Sequence, residues 1–172
     1  MGKGLFIIHT GDGKGKTCAA LGQAIRAAGQ GMRVCIIQFI KNRPCGELKA
    51  LERWNDLVEI HQVGSGFSWQ ERELTRFRHC AELGWQLARE KISRGEHELI
   101  ILDELTYLLK FGILQVKEVL EALEERRAGT HLLITGREAP AELVEAADLV
   151  TSMQEVKHPY RQGVASQKGI EW

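Results

Sequence analysis

A glycine-rich segment near the amino terminus carries residue types suited to phosphate binding. Residues 10–17 read TGDGKGKT, between an apolar run and an alanine-rich stretch. The backbone N–H groups of such a loop point into one concavity, and the positive end of a following helix adds to their field. Lys16 offers a mobile positive charge to phosphate, and Thr17 offers a hydroxyl to Mg²⁺. The segment fits the P-loop pattern G-x-x-x-x-G-K-[ST], except that Thr10 stands at the first glycine position.

Two acidic residues end the most apolar run of the sequence. Leu99–Leu102 are all aliphatic, and Asp103 and Glu104 follow them. A continuous apolar run is typical of a parallel strand buried on both faces, whose carboxyl end faces the ligand crevice. Carboxylates at that point bind Mg²⁺ directly or through water, alongside substrate phosphates. The pattern leaves open which acid contacts the ion, although we favour Glu104 with Asp103 in support; a solvated acidic turn is the alternative.

Arg137 follows a third apolar run, Leu132–Thr135, after Gly136. Glycine permits close approach of a ligand, and a guanidinium group fits phosphate oxygens. Arg137 is therefore a candidate phosphate ligand. From this segment alone, a surface salt bridge is the alternative interpretation.

Two aromatic residues lie in the glycine-rich segment GSGFSW at positions 64–69. Phe67 and Trp69 are two residues apart, an arrangement that suits a mobile apolar lid over a binding site. They could equally anchor the loop in the core, and the residues alone leave both interpretations open.

Short apolar runs alternate with longer amphipathic stretches, which is typical of βα units around a mostly parallel sheet. The predicted strands are Leu5–His9, Val34–Phe39, Val58–His61, Leu99–Leu102, Leu132–Thr135 and Leu149–Thr151. The predicted helices are Lys16–Ala28, Glu47–Arg53, Gln70–Ser93, Gln115–Arg127 and Ala141–Ala146. The fold class is therefore α/β, with three layers and helices on both faces of the sheet.

Length and composition bound the remaining possibilities. The 172 residues predict a single domain over 1–172, and 23 Lys+Arg against 23 Asp+Glu give no electrostatic reason to expect a nucleic acid as partner. The four cysteines form no C-x-x-C pair for zinc or an iron–sulfur cluster, so we interpret them as free thiols. No apolar stretch approaches the length of a membrane span, and no signal peptide is evident. We expect a cytoplasmic protein that acts on small molecules.

Six blocks together resemble one enzyme family, the P-loop ATP:corrinoid adenosyltransferases, also called cob(I)yrinic acid a,c-diamide adenosyltransferases. In chain order they are TGDGKGKT, VCIIQFIK, GSGFSW, LIILDELT, LLITGREAP and ADLVTSMQEVKHPYRQGVASQKGIEW. The resemblance runs from Leu5 to Trp172, and a threonine at the position of Thr10 is typical of the family. It implies a P-loop NTPase fold of the RecA-like type.

The resemblance implies a specific reaction. Cobalt(I) of a corrinoid, which can be cobalamin, cobinamide or cobyrinic acid a,c-diamide, attacks the 5′ carbon of ATP, and inorganic triphosphate leaves. The P-loop then grips the triphosphate as the leaving group, in reversed polarity relative to ordinary P-loop hydrolases. Lys16, Arg137 and Mg²⁺ would neutralise the charge that grows on it. Cobalt(I) carries no proton, so the chemistry needs no general base.

The resemblance also assigns further residues. The ATP contacts comprise the P-loop residues Thr10, Gly11, Asp12, Gly13, Lys14, Gly15, Lys16 and Thr17, together with Arg26 and Arg137. Arg26 lies nearly three helical turns beyond Lys16, so this assignment comes from the family and not from spacing. Phe67 and Trp69 are similar to aromatics that displace the lower axial ligand of the corrinoid and leave a four-coordinate cobalt(II). The family further implies a homodimer and a reductant protein such as a flavodoxin.

Two rival functions share the phosphate-binding features. A nucleoside kinase or other phosphotransferase would use the same P-loop and strand-end acids, although the thymidine-kinase type normally brings C-x-x-C pairs. A nucleotide-binding switch is the second rival, but the guanine-specifying N-K-x-D is absent; residues 41–44 read KNRP.

Overall fold

All strand pairs of the sheet are parallel, whereas the sequence predicts a mostly parallel sheet. The computed structural model describes residues 2–43, 45–66 and 71–171, the side chains of 71–73 excepted. Within them, six strands form one sheet: β1 (Phe6–Thr10), β2 (Val34–Gln38), β3 (Val58–Gln62), β4 (Leu99–Asp103), β5 (His131–Thr135) and β6 (Leu149–Ser152). Their order is β3-β2-β4-β5-β1-β6, and each neighbouring pair is parallel.

The described helices are α1 (Lys16–Ala28), α2 (Gly46–Leu51), α3 (Glu71–Arg94), α4 (Thr106–Lys110), α5 (Val116–Glu125) and α6 (Ala141–Ala146). Two 3₁₀ turns, Glu52–Trp54 and Pro159–Gln162, complete the regular structure. α1 and α6 have the predicted bounds, and the other predicted elements differ by one or two residues at their ends. Gln70, the predicted first residue of α3, lies outside the described residues.

Helices cover both faces of the sheet, so the three-layer α/β prediction is confirmed. Alternate residues of β4 enter opposite cores because successive strand side chains point to opposite faces. Ile100 and Leu102 pack in the core that contains residues of α3, α4, α5 and α6, whereas Leu99 and Ile101 pack with the alanines of α1. No helix in the described part of the chain combines the length and hydropathy of a membrane span.

Parallel pairing brings the carboxyl ends of four strands to one edge of the sheet. Thr10, Gln38, Asp103 and Thr135 are the last residues of β1, β2, β4 and β5. Asp103 pairs with Gln38 in the strand register. This edge therefore collects polar side chains from segments far apart in sequence, and it is where a parallel α/β sheet binds its ligands.

Candidate active site

The loop between β1 and α1 closes around the side chain of Lys16. Its ammonium donates hydrogen bonds of 2.7 Å to the carbonyl oxygens of both Gly11 and Gly13, and the residue is only 6% exposed. Burial lowers the pKa of Lys16, and the nearby charge of Glu104 partly opposes that shift. Neutral carbonyls thus hold the ammonium over the loop, where an incoming anion can take their place.

The chain after β6 crosses directly over the P-loop. The N–H of Gly13 donates to the carbonyl of Met153 at 2.8 Å, and the N–H of Met153 donates to the carbonyl of Thr10 at 2.9 Å. Gly11 has a φ of +91°, and a Cβ there would lie 2.3 Å from the Met153 carbonyl oxygen. Only glycine fits this position, so the loop sequence is set by packing against residues 153–154 as well as by phosphate chemistry.

The Thr10 side chain is hydrogen-bonded to a neighbouring loop. Its hydroxyl accepts a hydrogen bond of 3.2 Å from the N–H of Ala139, and it is not among the residues that line the cleft at the P-loop. The prediction placed Thr10 with the nucleotide ligands. In the structure, the Thr10 side chain instead contacts Ala139 in the segment after β5, two residues from Arg137.

Asp103 has both carboxylate oxygens occupied by neutral donors. The hydroxyls of Thr17 and Thr135 each donate to Oδ1 at 2.8 Å, and Nε2 of Gln38 donates to Oδ2 at 3.1 Å. The residue is 1% exposed. Three hydrogen bonds from hydroxyl and amide groups fix the carboxylate and leave its negative charge uncompensated.

Glu104 has the opposite environment, although it is the next residue. Its φ is +64°, a left-handed conformation that is uncommon outside glycine, and its N–H donates to the Thr135 hydroxyl at 2.9 Å. Oε2 is buried without a hydrogen-bond partner among the described residues. Burial, followed by the charge of Asp103, raises the pKa of Glu104. A strained backbone that aims an unpartnered carboxyl group into a cleft marks a position for a ligand.

Gly136 allows the chain after β5 to turn toward the cleft. Its φ is +144°, and a Cβ there would lie 2.0 Å from the Thr106 hydroxyl oxygen. Arg137 follows, is exposed, and lines the cleft. Among the described residues it forms no hydrogen bond or ion pair, so the salt-bridge alternative for Arg137 finds no partner there.

These groups surround a cleft of about 610 Å³, within the usual range of about 300–1,000 Å³ for small-molecule sites. Besides Lys16, Thr17, Glu104 and Arg137, its lining includes residues that the sequence did not single out: Leu21, Ile25, Lys41, Glu47, Tyr107 and the tail residues Gly169, Ile170 and Glu171. Leu21 and Ile25 lie on α1, Ile170 lies in the tail, and the charged side chains come from several separate segments.

Lys41 and Lys14 are both paired with carboxylates at the rim. Lys41 Nζ lies 2.5 Å from Glu47 Oε1. Burial alone would lower the pKa of Lys41, but the hydrogen bond to Glu47 and the charge of Asp103 leave it raised. Lys14 Nζ lies 2.6 Å from Glu171 Oε1 and donates to the Ile170 carbonyl at 2.9 Å. The tail therefore contacts the P-loop at two places.

Arg26, like Thr10 and Gly11, is a predicted nucleotide ligand that does not line the cleft. Arg26 is exposed in the last turn of α1, donates to Gln23 at 3.4 Å, and is not among the lining residues. Its assignment to ATP rests on the family resemblance alone. Phe67 and Trp69 lie outside the residues that the structure describes.

The segment that leads into Phe67 and Trp69 is described up to Gly66. The N–H of Gly66 donates to the Ile40 carbonyl at 3.1 Å, and Nδ2 of Asn42 donates to the Ser65 carbonyl at 2.7 Å. Lys41, between these two anchors, lines the cleft. The glycine-rich loop after β3 therefore starts beside the phosphate-binding cleft.

His158 has a local structural partner. Its Nδ1 accepts a hydrogen bond of 3.2 Å from the N–H of Tyr160, which caps the 3₁₀ turn Pro159–Gln162.

Comparison with known proteins shows which family the chain resembles. The profile of the family described as ATP:corrinoid adenosyltransferase BtuR/CobO/CobP matches residues 2–172. The corrinoid adenosyltransferase of Pseudomonas aeruginosa is 39% identical over 171 residues, which span 99% of this chain and 84% of that protein. That of Escherichia coli K12 is 40% identical over 173 residues, 99% of this chain and 86% of that protein.

A solved structure supports the fold independently. The flagellar accessory protein FlaH from Methanocaldococcus jannaschii matches with a TM-score of 0.53, over 88% of this chain and 72% of that chain. At 13% identity, this likeness shows the fold alone.

Proposed function

The chain belongs to the ATP:corrinoid adenosyltransferase family BtuR/CobO/CobP, and we propose that it transfers the 5′-deoxyadenosyl group of ATP to cobalt(I) of a corrinoid. Membership makes it a transferase with ATP and a corrinoid as its substrates. The finer proposal concerns the bonds. Cobalt(I) supplies the electron pair of the new Co–C bond, the C5′–O bond breaks, and its electrons leave with inorganic triphosphate.

The position of the loop after β3 carries this proposal. Gly66 is hydrogen-bonded to Ile40, and the adjacent Lys41 lines the P-loop cleft. A corrinoid held by residues that follow Gly66 would face the nucleotide held by the P-loop. A kinase needs its second substrate at the terminal phosphate, whereas adenosyl transfer needs it at the ribose, so the proposal requires the ribose of ATP to face the segment after Gly66.

The cleft supplies the charge that a departing triphosphate needs. Lys16 bonds only to backbone carbonyls, and Arg137 is free of partners among the described residues. Both can turn to phosphate oxygens without breaking an ion pair. Preorganised cations stabilise developing negative charge most effectively where water is excluded, and Lys16 is buried.

The donor set also fits Mg²⁺, which prefers oxygen ligands next to phosphates. Glu104 offers a buried carboxylate oxygen without a partner in the described structure. Thr17 lines the same cleft, and its hydroxyl donates to Asp103 at 2.8 Å. Thr17 and Glu104 would hold the ion, with Asp103 orienting Thr17; the bound ion would neutralise phosphate charge.

Phe67 and Trp69 are proposed to contact the corrinoid, on the strength of their family resemblance. Aromatic side chains that replace the lower axial ligand would favour reduction of cobalt(II) to cobalt(I). The electron would come from a reductant protein of the flavodoxin kind. By the same resemblance, we propose that the protein acts as a homodimer.

The reaction is tested by mixing the protein anaerobically with ATP, Mg²⁺ and chemically reduced cob(I)alamin. The expected result is a light-sensitive cobalt–carbon product in the visible spectrum, with inorganic triphosphate as the released species. Release of ADP and phosphate without a change in the corrinoid spectrum would instead assign the chain to the kinases or ATPases.

The corrinoid contacts are tested by comparing two starting oxidation states. Trp69→Ala and Phe67→Ala should impair the reaction from cobalt(II) with a mild reductant more than the reaction from pre-reduced cobalt(I). Equal losses in both assays would mean that these aromatics only support the loop.

A further inference from the structure

A second group of chemically competent side chains lies between the edge of the sheet and α3. Cys35 of β2 pairs with Glu59 of β3 in the strand register, and His61 follows on the same face of β3. The Cys35 sulfur, a Glu59 oxygen and a His61 ring nitrogen all lie within 4.8 Å of one another. Thiolate, carboxylate and imidazole are the three ligand types that bind zinc in proteins.

This group is separate from the P-loop cleft. Cys35 lies three residues before Gln38, which contacts Asp103, so about 10 Å of strand separates the two sites at about 3.3 Å per residue. None of Cys35, Glu59 and His61 lines the cleft.

Lys91 already places a cation among these groups. Its Nζ lies 2.6 Å from Glu59 Oε1, the same oxygen that lies 2.7 Å from Nε2 of His61. Glu59 Oε2 is held at 3.0 Å by Nε2 of His97, a residue that is only 8% exposed. A carboxylate with one oxygen fixed by a buried histidine and the other facing a cation matches the way metal-ligating carboxylates are supported by their neighbours.

We propose that Cys35, Glu59 and His61 form a site for a divalent transition-metal ion of the zinc type, which replaces the Lys91 ammonium at Glu59 Oε1. Ligands of one zinc ion lie about 2.0–2.3 Å from the metal, so small side-chain rotations bring the three atoms to one centre. Glu59 and His61 are partly exposed, which gives the ion an entry path and leaves a coordination position for water. Because Lys91 is a long, flexible side chain in the last turn of α3, it can turn to solvent.

The protonation states of Glu59 and Cys35 define what a bound ion would have to displace. The hydrogen bonds from Lys91 and His61 outweigh burial and hold the pKa of Glu59 at about 2, so the carboxylate is ionised. Burial and the charge of Glu59 raise the pKa of Cys35 to about 12. The thiol therefore keeps its proton beside Lys91, and a dication supplies the extra charge that displaces it.

The test uses the full chain, reduced, freed of metal with a chelator, and titrated anaerobically with Co²⁺ alone, without nucleotide or corrinoid. We expect one equivalent to produce a thiolate-to-cobalt charge-transfer band with tetrahedral visible bands, and Zn²⁺ to abolish both. Cys35→Ser should lose the charge-transfer band. Cys18→Ser should keep it, because Cys18 is the exposed thiol at the P-loop cleft.

Two further variants keep the outcome decisive if Cys35→Ser fails to fold. His61→Gln changes a partly exposed side chain and should weaken Co²⁺ binding by about tenfold or more. Lys91→Met should tighten it, because the competing ammonium is gone. Absence of the charge-transfer band in the wild-type protein, its survival in Cys35→Ser, or unchanged affinity in both His61→Gln and Lys91→Met would each overturn the proposal.

Discussion

Two carboxylates of the sheet, Asp103 and Glu59, have partners of different charge. Asp103, which ends β4, accepts hydrogen bonds only from hydroxyl and amide groups. Glu59, on the edge strand β3, accepts from the ammonium of Lys91. Neutral donors orient a carboxylate and leave its charge available to an incoming cation, whereas an ammonium compensates that charge within the protein. In the proposed function the first arrangement serves a substrate-bound cation, whereas the second forms an ion pair within the protein, which the proposed metal ion would replace.

The two lysines near these carboxylates, Lys16 and Lys91, also differ in the charge of their partners. Lys16 bonds to backbone carbonyls, which leave its charge for phosphate, while Lys91 is paired with Glu59. Two buried or nearly buried lysines of one small sheet protein thus differ in whether their charge is available. The comparison predicts that substitutions at the two sites have separable effects on turnover and on stability.

The largest effect is expected from Lys16→Ala. Loss of the ammonium should lower kcat for adenosyl transfer by at least about 100-fold, since a buried charge donor to the leaving group is removed. Lys91→Met is the matched control, because it removes a lysine that lies outside the cleft. Steady-state turnover measures both; near-normal transfer in Lys16→Ala would contradict the P-loop assignment.

The next effect separates two adjacent acids. Asp103→Asn should destabilise the fold by about 1–3 kcal/mol, because its amide faces the Gln38 amide as donor against donor. Gln38 cannot simply flip, since its Oε1 accepts from Gln62 at 3.0 Å. Glu104→Gln should leave stability unchanged or increase it, yet raise the Mg²⁺ concentration required for turnover. Urea unfolding and a metal titration measure the two properties; an unchanged metal requirement in Glu104→Gln would move the magnesium ligand to Asp103.

The pH dependence gives Glu104 a further signature. Because burial raises its pKa above 4.5, the folded protein keeps a proton there that the unfolded chain releases. The stabilising contribution of the protonated Glu104 in the ligand-free protein is therefore lost as pH rises from about 4.5 through the raised pKa, and Glu104→Gln lacks this pH-dependent contribution. The difference in the free energy of unfolding between Glu104→Gln and the wild type should grow over that pH range. A difference that does not change with pH would mean that the carboxyl group does not titrate in this way.

The smallest effect is expected from Glu59→Gln. Lys91 and His61 hold the pKa of Glu59 at about 2, below the ordinary 4.5. Its contribution to stability is thus present above about 4.5 and is lost as pH falls toward 2. The effect is small because the side chain is 38% exposed and its ion pairs are screened by water. Unfolding curves at pH 7 and pH 3 should show a smaller wild-type advantage at the lower pH; an equal advantage at both would mean that the charge of Glu59 does not cause it.

The local sequence predicted much of the fold because the sheet is parallel and buried. Strands covered on both faces must be continuously apolar, which is why Val34–Gln38 and Leu99–Asp103 could be located. Helix α4, Thr106–Lys110, was missed because five residues are too few to show helical periodicity. Helix α2 ends at Leu51, and the predicted continuation to Arg53 is a 3₁₀ turn.

The two sites also differ in how far the local sequence predicts them. The P-loop and the two acids are contiguous motifs, and the sequence shows them directly. Thr135 and Gln38 at Asp103, and Cys35 with Glu59, are brought together by strand register, which a single sequence does not display. Only the spacing Glu59-x-His61, two residues on one face of a strand, was a visible signal for the second cluster.

The crossing of the tail over the P-loop has a practical consequence for anyone attaching a label to this protein. Glu171 touches Lys14, and the backbone at Met153 is bonded to the loop itself. A fluorophore or affinity handle joined after these residues would begin at the mouth of the nucleotide cleft. Gly2 and Lys3 precede β1 and lie near residues 127–131, at the amino edge of the sheet. A handle joined there leaves the whole length of the strands between itself and the substrates.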